Sequence, residues 1–304
     1  PNAQPETLQQ LAEYCDAMMG EASFSQMPSI SLSCDLSAQP HFASYLSAEE
    51  LFKYFDTDIT FFTSGSTGKA KAIQKHSNQL LSEVDILADC FQSVVKQSDI
   101  LVSTVSHQHI YGLMFKLLLP LRTGVSITRE TFEYPEHIAH FLGLHSSGRT
   151  ILVSSPAYLS RLINDNVLAG LGQQFSSIYS SGGPLAEATS LSLYQQMSLA
   201  ITEVFGSTET GGIAWRENRG QEDLSWQMFP GILFNVTELG QLSLKSPFIG
   251  EGHYITEDLV ERKSDEHFVF KGRADRIIKL EEKRISLTHL EQKLSEHHLI
   301  NNAR

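Results

Sequence analysis

The hydrophobic positions along this chain follow two alternating periods. Short apolar runs predict buried strands at residues 59–62, 100–102, 125–128, 151–153, 177–179 and 201–204. Apolar residues spaced three and four apart predict helices at residues 77–95, 113–121, 136–142 and 185–197, and one that begins at Pro156. Strands and helices in this order are typical of an α/β fold, in which helices cover a mostly parallel sheet. Ligands of such sheets bind at the carboxyl ends of the strands.

From Trp226 onward the pattern changes to short alternating segments. Residues 232–236 and 241–244 alternate on either side of Glu238-Leu239-Gly240, which predicts a hairpin. Short strands and turns continue to Lys271. We therefore expect a small β-rich subdomain after the α/β portion.

Composition narrows the classes of function. The chain has 304 residues, 41% of them hydrophobic, which allows a substantial core in one large or two medium domains. A net charge of -12 and the lack of a basic patch argue against nucleic acid as a main partner. The apolar runs are short and interrupted by Lys, Arg or Gly, so no membrane span is expected. The 3 scattered cysteines fit neither a disulfide framework nor a zinc site, and we expect a cytoplasmic protein.

The clearest chemistry lies in Thr63-Ser64-Gly65-Ser66-Thr67-Gly68-Lys69-Ala70-Lys71, called the phosphate loop below. We predict that it connects the strand at residues 59–62 to a helix that begins near Ser77. Glycine lets the backbone approach a ligand, and successive N–H groups, hydroxyls and ammonium groups can surround phosphates. A Walker A loop is excluded, because only two residues separate Gly65 from Gly68-Lys69 and the next residue is Ala70. On composition alone, a flexible surface loop explains the stretch equally well.

The phosphate loop resembles the T-S-G-[ST]-T-G-x-P-K motif of the adenylate-forming superfamily, with Ala70 in place of proline. This superfamily includes acyl- and aryl-CoA synthetases, luciferases and the adenylation domains of peptide synthetases. The resemblance implies that Lys69 and Lys71 are catalytic and clamp the β- and γ-phosphates of ATP. It implies further phosphate contacts from Thr63, Ser64, Gly65, Ser66, Thr67 and Gly68.

A second motif, Phe205-Gly206-Ser207-Thr208-Glu209, resembles Y-G-x-T-E with Phe205 in place of tyrosine. A nucleotide needs an aromatic face for its base, a hydroxyl donor for the α-phosphate and a carboxylate for Mg²⁺. Phe205, Thr208 and Glu209 would fill these three roles, and Gly206 would line the same site. Read in isolation, the segment is a Ser/Thr-rich turn with an exposed glutamate.

Two further motifs lie in the β-rich part. Tyr254-Ile255-Thr256-Glu257-Asp258 resembles Y-x-T-G-D, and the residues from Gly272 to Lys279 resemble G-R-x-D-x-x-I-K. The resemblance implies that Asp258 accepts hydrogen bonds from both ribose hydroxyls and that Arg273 contacts the nucleotide. It makes Asp275 the hinge of a C-terminal domain. Read alone, the second stretch is a solvated charged strand.

Two looser matches concern the acid. His109-Ile110-Tyr111-Gly112-Leu113 resembles the H-x-x-G-L segment of acyl- and aryl-CoA ligases, which implies that His109 lies near the substrate carboxylate. His107 and His109 could also be metal ligands, or could simply cap a loop. Ser181-Gly182-Gly183-Pro184-Leu185 resembles a turn that lines the adenine and acyl pockets, and Gly183 is the contact it implies. This turn is one residue shorter than the family pattern, and a plain strand-to-helix turn explains it as well.

The ordered motifs identify an adenylate-forming ligase that requires ATP and Mg²⁺. The resemblance implies that a small fatty or aromatic acid becomes an acyl-adenylate, and that the acyl group then passes to the thiol of CoA or of the phosphopantetheine on an acyl carrier protein. It divides the chain into an ATP- and acyl-binding portion (1–225), a β-rich subdomain (226–274), and a hinge with an incomplete C-terminal domain (275–304).

Three departures from the family pattern accompany this prediction. They are a short segment before the phosphate loop, Glu282 in place of a glycine, and the lack of a match for the catalytic lysine of the C-terminal domain. The alternative is a non-catalytic protein with an adenylation fold that binds nucleotide or acyl-adenylate. An unrelated nucleotide hydrolase is disfavoured because the Walker A spacing is lacking.

Overall fold

A computed structural model describes residues 56–64, 70–145, 149–165, 170–219, 225–280 and 283–287, and the single residues 290 and 294. The chain divides into two compact units, Pro1–Leu81 and Ser82–Arg304, and each is described by itself. Helical spacing of apolar residues also predicts helices at residues 8–18 and 49–55, and both lie outside the described residues.

The described part of the first unit is an antiparallel hairpin. Strand β1 (Asp58–Ser64) pairs with β2 (Ala70–His76), and buried Phe61 lies opposite buried Ile73. The phosphate loop therefore connects two strands, and the prediction that it connects a strand to a helix was wrong, although the helix predicted near Ser77 does begin there. Small, charged and apolar residues alternate in β2, which favours an extended backbone. Helix α1 (Ser77–Cys90) begins directly after this strand.

The second unit alternates strands and helices and then continues with strands only. After α1 its elements are α2 (Gln92–Lys96), β3 (Ile100–Ser103), α3 (Ile110–Gly112), α4 (Leu119–Thr123), β4 (Ser126–Ile127), α5 (Pro135–Leu144), β5 (Thr150–Ser154), α6 (Pro156–Asp165), β6 (Phe175–Ser180), α7 (Glu187–Met197), β7 (Ile201–Ser207), β8 (Gly211–Asn218), β9 (Trp226–Met228), β10 (Leu233–Val236), β11 (Gln241–Lys245), β12 (Tyr254–Arg262), β13 (His267–Arg273), β14 (Ile277–Leu280) and β15 (Lys283–Ser286).

One mixed sheet of 11 strands organises the described part of this unit, in the order β10-β11-β12-β13-β9-β8-β7-β6-β5-β3-β4. Strands β4, β3, β5, β6 and β7 are parallel, and every residue of β5 is buried. Parallel strands covered on both faces have such continuous apolar sequences. The predicted α/β class with flanking helices is confirmed, and the described sheet is mixed, with parallel pairing only from β4 to β7.

The β-rich part continues the same sheet on its antiparallel side. From β7 to β10 all neighbouring strands are antiparallel, and β11 shows the alternating burial of a sheet with one covered face. The predicted hairpin is β10–β11, in which Phe234 lies opposite Leu244. Strands β14 and β15 form a separate antiparallel pair. The boundaries of the three predicted portions stay a prediction.

The core beside the parallel strands contains side chains from the strands and from α5, α6 and α7. Its buried members include Val102, Ile138, Leu142, Leu152, Leu159, Leu162, Ile178, Leu193 and Ile201. Each fully buried aliphatic side chain contributes about 1.5–3 kcal/mol to folding. This packing fixes the directions of the strands, and with them the turns at the strand ends.

The helical stretch that begins at Ile110 differs from the single α-helix expected. Its central turn, Leu113–Leu118, is a π-helix between α3 and α4, and Gly124 ends the stretch with φ +79°. Such π turns occur often beside functional sites. No helix in the described ranges has both the length and the apolar composition needed to cross a bilayer.

Candidate active site

Two predicted site turns follow neighbouring parallel strands. Residues 181–185, called the glycine turn, come after β6, and residues 207–210, called the acidic turn, begin at the last residue of β7. Because β6 and β7 pair in parallel, with Ser180 opposite Glu203, both turns lie at the carboxyl edge of the sheet. The Ser181 hydroxyl donates a 2.8 Å hydrogen bond to the Val204 carbonyl and fixes the start of the glycine turn to β7.

The acidic turn is closed by its two ends. The Ser207 N–H donates to Thr210 Oγ1 at 3.0 Å, and the Thr210 N–H donates to Ser207 Oγ at 3.2 Å. The Thr210 hydroxyl also donates to the Gly211 carbonyl at 2.9 Å. Thr208 and Glu209 therefore lie side by side at the tip of the β7–β8 hairpin, and both are half-buried.

Glycines make this hairpin unusually close. A Cβ at Gly206 would overlap the Gly211 carbonyl oxygen across the strand pair. Gly211 has a φ of +70°, which an L side chain rarely adopts. Gly206 of the predicted motif is therefore required because the backbones of β7 and β8 approach each other closely. This close approach lies next to the turn that contains Thr208 and Glu209.

Glu83 is a residue of this region that the sequence analysis missed. It lies on α1, is only 3% exposed, and its Oε1 accepts a 2.8 Å hydrogen bond from the Gly212 N–H. A Cβ at Gly211 would overlap Glu83 Oε2. The sequence contains a signal for this role: Glu83 falls at i+3 from Leu80, on the apolar face of its helix.

Phe205 lies half-buried among other aromatic rings. Its ring centroid is 5.0 Å from that of Trp226 on β9, and 5.5 Å and 5.6 Å from those of Phe268 and Phe270 on β13. Ala214 lies opposite Phe205 on β8, and its small side chain leaves space for these contacts across the strand. The prediction that Phe205 stacks on the base stays a prediction.

Asp258 and Arg273 are brought together by the register of β12 and β13, in which they lie directly opposite each other. Arg273 Nη1 donates to Asp258 Oδ1 at 3.3 Å, and its Nε and Nη2 donate to the two oxygens of Asp275 at 2.9 and 2.8 Å. Burial raises the pKa of Asp258 above its ordinary value even though Arg273 acts in the opposite direction. The two hydrogen bonds from Arg273 lower the pKa of Asp275.

His109 is exposed and precedes the first turn of α3, beyond the carboxyl end of β3. A glycine is required at position 112, because a Cβ there would overlap the Ser106 carbonyl. Within the described ranges, no group of three or more His, Cys, Asp or Glu side chains is arranged as a metal site. The role of His109 near the substrate carboxylate stays a prediction.

The ends of the phosphate loop are held by the β1–β2 hairpin. Thr63 lies opposite Lys71, and the Thr63 hydroxyl donates to the Lys71 carbonyl at 3.5 Å. The Lys71 side chain is exposed. Ser64 ends β1, and the predicted phosphate ligands Gly65, Ser66, Thr67, Gly68 and Lys69 lie outside the described residues, as does Glu282.

Comparison with known proteins agrees with the fold. The family model described as "AMP-binding enzyme" matches residues 32–239, more than half of the chain. A 4-coumarate–CoA ligase from Cereibacter sphaeroides is 26% identical over 225 residues, which are 73% of this chain and 50% of that protein. The fatty acid–[acyl-carrier-protein] ligase MmaC from Mycobacterium marinum is 24% identical over 260 residues, 71% of this chain and 48% of that protein.

Solved structures show the same architecture. ATP-bound MatB from Rhodopseudomonas palustris matches 78% of this chain and 52% of its own, with a TM-score of 0.67 and 19% identity. The O-succinylbenzoate CoA synthetase MenE from Bacillus subtilis, in complex with AMP, matches 80% of this chain and 55% of its own, with a TM-score of 0.69 and 17% identity. The chain belongs to the family of AMP-binding enzymes, and it spans about half the length of the curated relatives that it matches.

Proposed function

We propose that this chain carries the nucleotide- and acid-binding part of an AMP-forming acid–thiol ligase. The observation that carries the proposal is the acidic turn, in which Thr208 and Glu209 are held side by side at the carboxyl end of β7. In the proposed first step, a carboxylate oxygen of the acid attacks the α-phosphate of ATP. An acyl-adenylate forms, and the bond to pyrophosphate breaks.

In this proposal, different residues bind different parts of the nucleotide. The Thr208 hydroxyl donates to the α-phosphate, Asp258 accepts from the ribose hydroxyls, and Arg273 contacts the nucleotide. The Phe205 ring and the glycine turn, including Gly183, enclose the base. Lys69 and Lys71 hold the leaving pyrophosphate, whose developing charge such donors stabilise.

The residues at the acidic turn fit a magnesium ion that is shared with the nucleotide. Mg²⁺ is bound in such sites by one or two carboxylates together with substrate phosphates and water, and Glu209 would supply the carboxylate. When bound, the ion neutralises phosphate charge. Glu209 is half-buried at the hairpin tip, in a turn whose backbone is closed by the hydrogen bonds between Ser207 and Thr210.

We propose that the acid is aromatic or of medium chain length. Support comes from the rings of Phe91, Tyr111, Phe115 and Tyr179, whose neighbouring centroids lie 4.9–6.3 Å apart beside the segment of His109. Burial raises the pKa of Tyr111 well above its ordinary value. His109, which is exposed and two residues before Tyr111, would orient the substrate carboxylate beside these rings.

The acceptor in the proposed second step is a thiol. Its sulfur attacks the acyl carbonyl, forms a thioester and releases AMP. One relative is named as a CoA ligase and another as an acyl-carrier-protein ligase, so both CoA and the phosphopantetheine of a carrier protein fit the proposal. The cytoplasmic location and the lack of a nucleic-acid partner stay predictions from composition.

Carboxylate-dependent exchange of labelled pyrophosphate into ATP tests the proposal. We expect exchange with at least one acid from a panel of aromatic and medium-chain acids, and none without acid. Nucleotide binding without exchange for any acid would favour the non-catalytic alternative. Phosphate release without acid would favour a hydrolase.

A further inference from the structure

Glu83 is a buried carboxylate outside all the motifs used so far. It lies on α1 with 3% of its surface exposed, and it contacts the first two residues of β8. A buried carboxylate is costly unless hydrogen bonds or charges compensate for its lost hydration. A leucine at this position would continue the apolar face that contains Leu80 and Leu87. A carboxylate here needs another explanation, and the backbone it contacts supplies one.

The contact with β8 is directional and leaves little space for movement. Glu83 Oε1 accepts from the Gly212 N–H at 2.8 Å, while Oε2 lies so close to Gly211 that a Cβ there would overlap it. Gly211 has a φ of +70° and therefore tolerates this approach. The Glu83 side chain thus fixes the position of the β8 backbone at Gly211 and Gly212, where β8 leaves the acidic turn.

Hydrogen bonds connect the acidic turn to this part of the β8 backbone. The Thr210 hydroxyl is bonded to the Gly211 carbonyl at 2.9 Å, and Thr210 closes the turn by its bonds with Ser207. On the facing strand, Gly206 packs so closely on Gly211 that no side chain fits between them. A shift of Gly211 and Gly212 therefore changes the direction of Thr208 and Glu209.

We propose that Glu83 is a positioning residue that holds Thr208 and Glu209 in the geometry needed for adenylation. It acts through the backbone of Gly211 and Gly212 and touches no reacting atom. This inference rests on the proposed function, in which Thr208 binds the α-phosphate and Glu209 binds Mg²⁺. A misplacement of about 1 Å in such a site can lower the rate about 100-fold.

Three variants separate the position of the carboxylate from its charge. Glu83→Gln keeps an oxygen acceptor at the same distance from the Gly212 N–H. Glu83→Asp keeps the charge but shortens the side chain by one methylene, so the acceptor withdraws from Gly212. Asp85→Ala is the matched control, because it removes a carboxylate from the same helix that is 54% exposed and pairs with Arg122.

The measurements are kcat, KM for the acid and the Mg²⁺ concentration at half-maximal pyrophosphate exchange, taken below the thermal unfolding temperature of each variant. We expect Glu83→Asp to lower kcat about 10- to 100-fold and to raise the Mg²⁺ requirement, with KM for the acid unchanged. Glu83→Gln should stay within about threefold of the natural chain in kcat, because it preserves the hydrogen bond. Asp85→Ala should match the natural chain in all three quantities.

A Glu83→Asp variant with a lower unfolding temperature but an unchanged kcat and Mg²⁺ requirement would overturn the proposal and leave Glu83 a purely structural residue. A loss of kcat in Glu83→Gln as large as that in Glu83→Asp would also overturn it, since an acceptor kept within reach of the Gly212 N–H would then not preserve the site. Calorimetry of ATP binding with and without Mg²⁺ keeps the test separate from the proposed function. If the natural chain shows no exchange, the ligase proposal fails, and the Glu83 inference is decided by whether Glu83→Asp alone loses the Mg²⁺-dependent part of the affinity.

Discussion

The parallel and antiparallel halves of the sheet contribute to the candidate site in different ways. In the parallel half, the predicted residues lie in turns beyond the strand ends, where Ser181 and the pair Ser207 and Thr210 fix the backbone. In the antiparallel half, Asp258 and Arg273 lie within strands and meet because β12 and β13 pair in one register. The site residues of the first half depend on backbone shape, and those of the second depend on which side chains face each other.

This difference has consequences for substitution. A turn built on closely packed glycines tolerates little change in backbone, so its variants should fail strongly. A side-chain pair on a strand can lose one member while the ladder of backbone hydrogen bonds remains, so its variants should lose affinity and keep their fold.

Glu209→Gln should have the largest effect on activity. It removes the carboxylate proposed for Mg²⁺ while it keeps the shape of the side chain, and we expect exchange to fall more than about 100-fold with the fold intact. Glu217→Gln on β8 is the control, because Glu217 is exposed and pairs with Arg219. Normal exchange in Glu209→Gln would overturn the metal assignment.

Gly206→Ala should have the largest effect on stability. The added Cβ overlaps the Gly211 carbonyl, and we expect the free energy of unfolding to fall by about 1–3 kcal/mol. Gly183→Ala is the matched variant, because no atom lies within 4 Å of its Cβ position and its backbone is not in the left-handed region. Its free energy of unfolding should change by less than about 0.5 kcal/mol. Equal stability losses in chemical denaturation would refute the close packing of the β7–β8 hairpin.

Asp258→Asn should weaken ATP without unfolding the protein. The ionised carboxylate accepts two ribose hydrogen bonds in our proposal, and we expect KM for ATP to rise about 10- to 100-fold. Burial raises the pKa of Asp258, so the ionised form is lost as the pH falls through a value above that of an ordinary aspartate. ATP affinity should therefore decline on the acidic side, and Asp258→Asn should lack this dependence. A variant that keeps both the affinity and the pH profile would exclude Asp258 from the ribose site.

Glu261→Gln should have the smallest effect. Glu261 is exposed on β12, pairs with Lys263 and Lys271 at 2.5 and 2.6 Å, and these bonds lower its pKa to about 2. The lowered pKa adds stability above the ordinary pKa of a glutamate, and this stability is lost as the pH falls towards about 2. Because exposed pairs are screened, the unfolding temperature at neutral pH and moderate salt should not change measurably. A clear decrease would show that charge pairs matter more on this half of the sheet than we assign to them.

The sequence predicted the parts of the fold that depend on local pattern. The continuous apolar runs located β5 and β6, and the Thr208-Glu209 motif located the acidic turn at the end of β7. Strand β2 was missed because Ile73 is its only large apolar residue and its other positions are small or polar.

Contacts that depend on strand register or on tertiary packing could not be predicted. The pairing of Asp258 with Arg273 and the rings around Phe205 follow from the order β7-β8-β9-β13-β12, which no local pattern encodes. The position of Glu83 on the apolar face of α1 indicates burial, but its partner, the Gly212 N–H, follows only from the tertiary contact with β8.

The fate of a carboxylate oxygen tests the central claim most directly. An acid that supports exchange is labelled with ¹⁸O in its carboxylate, the reaction is run with ATP, Mg²⁺ and hydroxylamine as acceptor, and the nucleotide product is examined by mass spectrometry. Attack of the carboxylate on the α-phosphate leaves one labelled oxygen on that phosphate when the acyl carbonyl is later attacked. We therefore predict AMP that carries one ¹⁸O atom. Unlabelled AMP, or label in inorganic phosphate together with ADP, would contradict adenylation by this protein.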